Sequence, residues 1–170
     1  TGYRELRESG ATVVASIWGR TVDEFAAAAR ALDGLSLAAV EINASCPNLE
    51  SRNAIFANSP DATKAILDAT SCLHVPRWVK LTTTAPLLLD VVAASMEGGA
   101  DAITLGNTLT GMVIDLEARR PILGNGGGGV SGEAARAVAV RAVYDVRSAY
   151  PNLPLIGAGG VMTARDALAL

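Results

Sequence analysis

Short apolar runs alternate along the chain with longer stretches whose apolar residues recur at helical spacing. The runs fall at Thr12–Trp18, Ala38–Ser45, Arg77–Thr82, Ala102–Asn107 and Leu153–Ala158. Each has the length of a strand and is mostly apolar on both faces, which predicts a parallel sheet covered by helices rather than a half-wetted antiparallel one. The helices that follow have marked starts. Thr21 with Glu24 reads as a capping box, and Gly34 as the stop for that helix. Ser59, Pro60 and Asp61 supply an N-cap, a proline at the first helical position and an acid in the first turn. Ser131, Gly132 and Glu133 open the longest helix, whose predicted buried face is Ala135, Val138, Ala139, Ala142, Val146 and Ala149. Thr163 to Asp166 opens the last helix. Five βα units in unbroken succession predict an α/β protein with right-handed crossovers. A closed barrel needs eight units and about 250 residues, so five units in 170 residues leave an open doubly wound sheet or an incomplete barrel.

Composition supports a packed chain. Half of the residues are hydrophobic and the mean hydropathy is +0.32, which excludes disorder. Aromatics are only 4%, so the core must be built from Ala, Val, Leu and Ile. The net charge is −3 with no dense basic stretch, which argues against nucleic acid and against an anionic membrane surface. No apolar run approaches the ~18 residues of a spanning helix. The polar, charged opening from Thr1 to Gly10 is not a secretory signal, and a reducing cytoplasm is expected. Two cysteines, Cys46 and Cys72, and one histidine, His74, are too few for a disulfide scaffold, a four-thiolate iron–sulfur site or a zinc site, so no metal is expected. Cys72 and His74 are given no function.

Chemistry concentrates where the runs end. Glu41 to Asn48 holds two amides, a hydroxyl and a thiol at the carboxyl end of a buried strand, where parallel α/β folds build their sites. Asn43 and Asn48 could bracket a planar imide-like ring, and Cys46 could accept a proton; an Asx-turn beside a passive cysteine is the competing local reading. The polar stretch from Cys46 to Ser59 reads as a lid. Lys80, among apolar strand residues, must either snorkel to water or meet a partner. Asn107 and Thr108 sit at another strand end, as ligand donors or as a simple turn. Gly126–Gly129, Val130, Ser131 and Gly132 form a glycine-rich entry to a helix, and Gly157–Gly160 forms a second. Two such turns late in a βα series suit a phosphate.

Taken together and in order, these stretches resemble the dihydroorotate dehydrogenases. The resemblance rests on Asn43-Ala44-Ser45-Cys46-Pro47-Asn48, Val79-Lys80-Leu81, Gly106-Asn107-Thr108-Leu109-Thr110-Gly111 with Ile114-Asp115, Arg119-Arg120-Pro121-Ile122-Leu123, Gly128-Gly129-Val130-Ser131-Gly132 and Ile156-Gly157-Ala158-Gly159-Gly160-Val161. A cysteine at position 46 resembles the soluble class, and Asp115–Leu123 looks like its NAD-linked subgroup. The resemblance implies a partial TIM (β/α)8 barrel, a single domain over 1–170 with about five βα units, lacking the first two strands and the last. It implies FMN as cofactor and oxidation of dihydroorotate to orotate in pyrimidine biosynthesis. Cys46 would be the catalytic base; Asn43, Asn48, Asn107 and Thr108 would hold the substrate. Lys80 would stand beside the flavin, and Ser131, Gly132, Gly159 and Gly160 would hold the flavin and its phosphate. An electron-transfer subunit carrying FAD and an iron–sulfur cluster, in a homodimer or heterotetramer, is the implied partner. Gly106 stands where relatives often carry a bulkier aliphatic residue, which implies a looser flavin face. The alternatives are a dihydropyrimidine dehydrogenase-like pyrimidine reductase and a non-catalytic phosphate-binding scaffold.

Overall fold

The structure is a computed structural model that describes residues 2–45 and 55–170. After a short helix α1 (Gly2–Glu8), all five expected strands are present in one sheet: β1 (Val14–Ile17), β2 (Ala39–Asn43), β3 (Arg77–Leu81), β4 (Ala102–Leu105) and β9 (Leu155–Gly157). They are parallel and lie in the order β1-β2-β3-β4-β9. Each new strand therefore adds on the same side as the last, without the reversal that a doubly wound sheet contains. With right-handed crossovers this winding sends every connecting helix to one face.

That face carries the core. Val40, Ile42, Val79, Leu81, Ile103 and Leu105 are fully buried and pack with Phe25, Ile66, Leu67, Val91, Val92 and Val146 from the helices. Because side chains alternate along a strand, Ser16, Glu41, Asn43, Lys80 and Thr104 share the opposite face. The expectation of strands apolar on both faces is therefore corrected: one face is apolar, and the other bears polar groups, of which only Thr104 is buried.

The helix starts follow local chemistry. In α2 (Val22–Arg30) the Thr21 hydroxyl accepts from the Glu24 N–H at 3.2 Å. Gly34, with φ +76°, ends the turn that follows rather than the helix itself. Ser59 caps α3 (Pro60–Ala69), with Pro60 at the first position. A helix α4 (Leu88–Glu97) follows β3. Arg77, at the start of β3, donates to the carbonyls of Leu67, Gly98 and Gly99 and so satisfies the ends of α3 and α4. α5 (Arg136–Ala149) begins five residues later than Ser131, after a 3-10 turn at Glu133–Ala135. Its buried residues are Ala139, Ala142 and Val146; Ala149 is exposed. α6 (Ala164–Ala169) has a full capping box between Thr163 and Asp166.

Between β4 and α5 the chain doubles back as two antiparallel ribbons, β5 (Leu109–Gly111) with β8 (Gly128–Val130) and β6 (Ile114–Asp115) with β7 (Arg120–Pro121). The hydrophobic pattern does not announce them, since they are two or three residues long and β5 and β8 contain glycine. Among the described residues no helix is long and apolar enough to cross a membrane.

Just before α3, Ala57 is fully buried, and the Phe56 ring meets Phe25 edge-on at 5.3 Å between centroids. Phe25→Ala should cost about 3–5 kcal/mol in the full-length protein, read by urea unfolding, as expected for an emptied aromatic site. A loss under about 1 kcal/mol would remove this contact from the core.

Candidate active site

The carboxyl ends of the parallel strands all open on the same side. There a cleft of about 200 Å³ is lined by Lys80, Gly106, Asn107, Thr108, Val130, Ser131, Gly132, Ala135, Gly159 and Gly160. Seven of the predicted site residues thus share one cavity: Lys80, Asn107, Thr108, Ser131, Gly132, Gly159 and Gly160. A larger hollow of about 850 Å³ between α4 and α5 is open and mostly apolar; of its charged residues Asp90, Arg141 and Asp145, the last two pair with each other.

Asn43 joins the group through its strand and its loop. It lies in register with Lys80 across β2 and β3. Its Oδ1 accepts from the Ser45 N–H at 3.3 Å and the Ser45 hydroxyl at 3.4 Å. Asn107 Nδ2 in turn donates to the Ser45 carbonyl and, at 2.8 Å, to the Ser45 Oγ, while its Oδ1 accepts from the Thr108 N–H at 2.9 Å. Ser45, itself buried, therefore ties the exit of β2 to the exit of β4. Cys46 and Asn48 lie outside the described residues, as does most of the expected lid.

Lys80 meets a partner rather than only water. Its Nζ is 4.0 Å from Glu41 Oε1, and both side chains are half-buried. Glu41 Oε1 also accepts from the Ser16 hydroxyl at 3.0 Å. Thr104 lies in register with Lys80 on β4; its buried hydroxyl lacks a hydrogen-bond partner among the described residues. Glu41, Ser16, Ser45 and Thr104 adjoin the predicted site residues, and the motif reading gave none of them a role. A signal existed for Glu41: a carboxylate between Val40 and Ile42 poses the same burial problem as Lys80.

The two glycine turns are in direct contact. Gly160 has φ +70°, and a Cβ there would sit 2.8 Å from the Gly132 carbonyl and 2.7 Å from Arg136 Cβ. Arg136 locks this junction by donating to Asp166 Oδ1 at 2.6 Å. The Thr163 hydroxyl chiefly holds the Asp166 carboxyl below its ordinary 3.8; desolvation opposes it, and the N–H groups of Met162 and Thr163 and the Arg136 charge add to the lowering. The backbone at position 106 requires glycine. Its φ is +140°, and a Cβ there would run into the Ala158 carbonyl, so no bulkier residue fits this backbone. Among the described residues no cluster of three His, Cys, Asp or Glu side chains could hold a metal ion.

The winding and the polar cleft at the strand exits define a protein of the βα-barrel class. A family model described as dihydroorotate dehydrogenase matches residues 3–170, and the chain belongs to that family. It is 48% identical over 158 residues to the catalytic subunit of dihydroorotate dehydrogenase B (NAD(+)) from Desulforudis audaxviator, covering 92% of this chain and 51% of the relative. It is 42% identical to the protein of the same name from Citrifermentans bemidjiense, covering 96% and 54%. The chain thus spans about half the length of these curated relatives. A solved structure of ligand-free DHODH from Eimeria tenella superposes with a TM-score of 0.69 at 20% identity, over 87% of this chain and 46% of that one, which shows a shared fold.

Two outcomes follow from this geometry. Gly106→Ala should destabilise the full-length protein by about 1–3 kcal/mol in denaturant titrations, the usual cost of forced backbone strain. Asp166→Asn should lower the melting temperature at pH 7. A folded-state value below 3.8 means that the carboxylate stabilises above about pH 4 and loses that effect as pH falls through the depressed value. Melting curves of wild type and variant should therefore converge as the pH falls below 3.8 and through the depressed value.

Proposed function

We propose that the chain is the central part of the catalytic barrel of an FMN-dependent dihydroorotate dehydrogenase, acting in pyrimidine biosynthesis. The observation that carries this reading is the convergence of Lys80, Asn107, Thr108 and both glycine turns on one cleft at the strand exits. Residues 1–170 form one part of a single barrel domain, as units three to seven of eight. The one-directional winding supports that placement, as do two open sheet edges, at β1 and β9, and relatives about twice as long.

The residues present suit FMN. The backbone at Ser131, Gly132, Gly159 and Gly160, at touching turns before two helices, suits a phosphate. Lys80 provides a cation, and the unpartnered Thr104 hydroxyl beside it is a buried group that a ligand or water would satisfy. A cleft of about 200 Å³ is smaller than the usual ~300–1,000 Å³ of a cofactor pocket, so these residues account for one side of the flavin.

FMN, when bound, supplies the acceptor for the hydride that leaves C6 of dihydroorotate. The Cys46 thiolate removes the C5 proton; with an ordinary thiol pKa of about 8.5, a modest downward shift makes it a usable base near neutrality. Asn43, Asn48, Asn107 and Thr108 hold the ring and carboxylate. Asn43 and Asn107 are already oriented through Ser45, so the substrate meets fixed donors and acceptors. Lys80 places a fixed positive charge where negative charge accumulates during reduction. The full-length protein works in the cytoplasm as a homodimer or heterotetramer with an FAD and iron–sulfur subunit, a reading supported by relatives named as catalytic subunits of an NAD(+)-linked enzyme.

The full-length protein should purify yellow with flavin and oxidise dihydroorotate. Cys46→Ala should retain FMN and lose turnover by at least about 100-fold, the lower range for a positioned base. A colourless protein indifferent to FMN, or activity on uracil alone, would refute the assignment.

A further inference from the structure

We propose that Glu41 is a positioning residue for Lys80, and that the pair sets how strongly the site favours reduced over oxidised flavin. The inference rests on the flavin reading above. It is carried by an arrangement that spans three strands. Ser16 on β1 donates to Glu41 Oε1 at 3.0 Å, and the same oxygen faces Lys80 Nζ at 4.0 Å. Ser16 is in register with Glu41, whereas Lys80 is in register with Asn43, two residues nearer the strand exits. Glu41 therefore stands one row deeper than the ammonium, which itself lines the cleft. The lysine has a carboxylate below it and the ligand space beside it.

A lysine on a flexible four-carbon stem does not hold its charge in place unaided. Here the stem crosses the open face of the sheet, where half-buried charges feel one another more strongly than in water. The Ser16 hydroxyl fixes the carboxylate, and the carboxylate fixes the ammonium. The pair is also neutral. An oxidised, uncharged isoalloxazine ring meets a compensated cation; a reduced, anionic ring competes with Glu41 for it. Glu41 thus restrains an over-stabilisation of reduced flavin that an unpaired lysine would cause, and keeps the flavin able to pass its electrons on.

Glu41→Gln keeps the size and the acceptor for Ser16 while removing the charge. In the full-length protein it should favour reduced over oxidised FMN by about tenfold, which raises the two-electron midpoint potential by about 30 mV. In a Lys80→Met background the same substitution should leave the potential unmoved, because Glu41 acts through the lysine. A flavin-independent readout is acetylation of Lys80 by acetic anhydride, followed by mass spectrometry. Lys64, the chain's other lysine, is paired with Asp68 and serves as internal reference. Glu41→Gln should raise the Lys80-to-Lys64 labelling ratio about three- to tenfold.

With FMN bound, an unchanged potential or an unchanged labelling ratio overturns the inference while the flavin reading stands. An equal shift in the Lys80→Met background overturns it too, since Glu41 would then act on the ring directly. If the wild-type protein binds no FMN, the flavin reading fails, and with it the control of redox balance; the labelling ratio alone then decides whether Glu41 positions Lys80.

Discussion

The structure depends on a sheet whose apolar face alone is covered by the helices among the described residues. Val40, Ile42, Val79, Leu81, Ile103 and Leu105 are driven against the helices, and strand geometry then commits their neighbours to the other side. Glu41, Asn43, Lys80 and Thr104 are polar because they occupy the positions between those hydrophobes. Burial and chemistry are therefore two readings of one alternation. A register slip of one residue would send Lys80 into the core and Val79 into the open.

The parallel arrangement adds direction. All strands leave the sheet on the same side, so exits far apart in sequence become neighbours in space. Ser45 and Asn107 are 62 positions apart and share a hydrogen bond. The glycine turns before α5 and α6 likewise touch at Gly132 and Gly160, although all of α5 and β9 intervene. Site precision comes from these few cross-links between strand exits, not from any one loop.

Much of this was legible in the sequence. The five strands were, because Val, Ile and Leu runs of strand length stood between marked helix caps such as Thr21 and Ser59. The cleft residues were legible as motifs at the run ends. The choice between an open doubly wound sheet and a barrel segment came from the motifs and their family resemblance, because hydrophobic pattern carries no pairing order; the one-directional strand order agrees with it. Other features were not legible. The ribbons at Leu109–Val130 were hidden because glycine and short length erase strand signals. Glu41 was passed over because its partners, Ser16 and Lys80, lie on other strands, and no local spacing links the three. The requirement for glycine at position 106 was hidden for a related reason: it comes from Ala158, on a strand exit 52 residues downstream.

That contact at Gly106 has a further consequence. Most walls of a binding site are upholstered with side chains, so their spacing can be retuned by exchanging one residue for a larger or smaller one. At the corner between β4 and β9 the lining is main chain against main chain, with the Ala158 N–H bonded to the Leu105 carbonyl at 2.8 Å. Nothing there can be trimmed or enlarged without moving the sheet itself, so this corner acts as a fixed datum from which the rest of the cleft is measured.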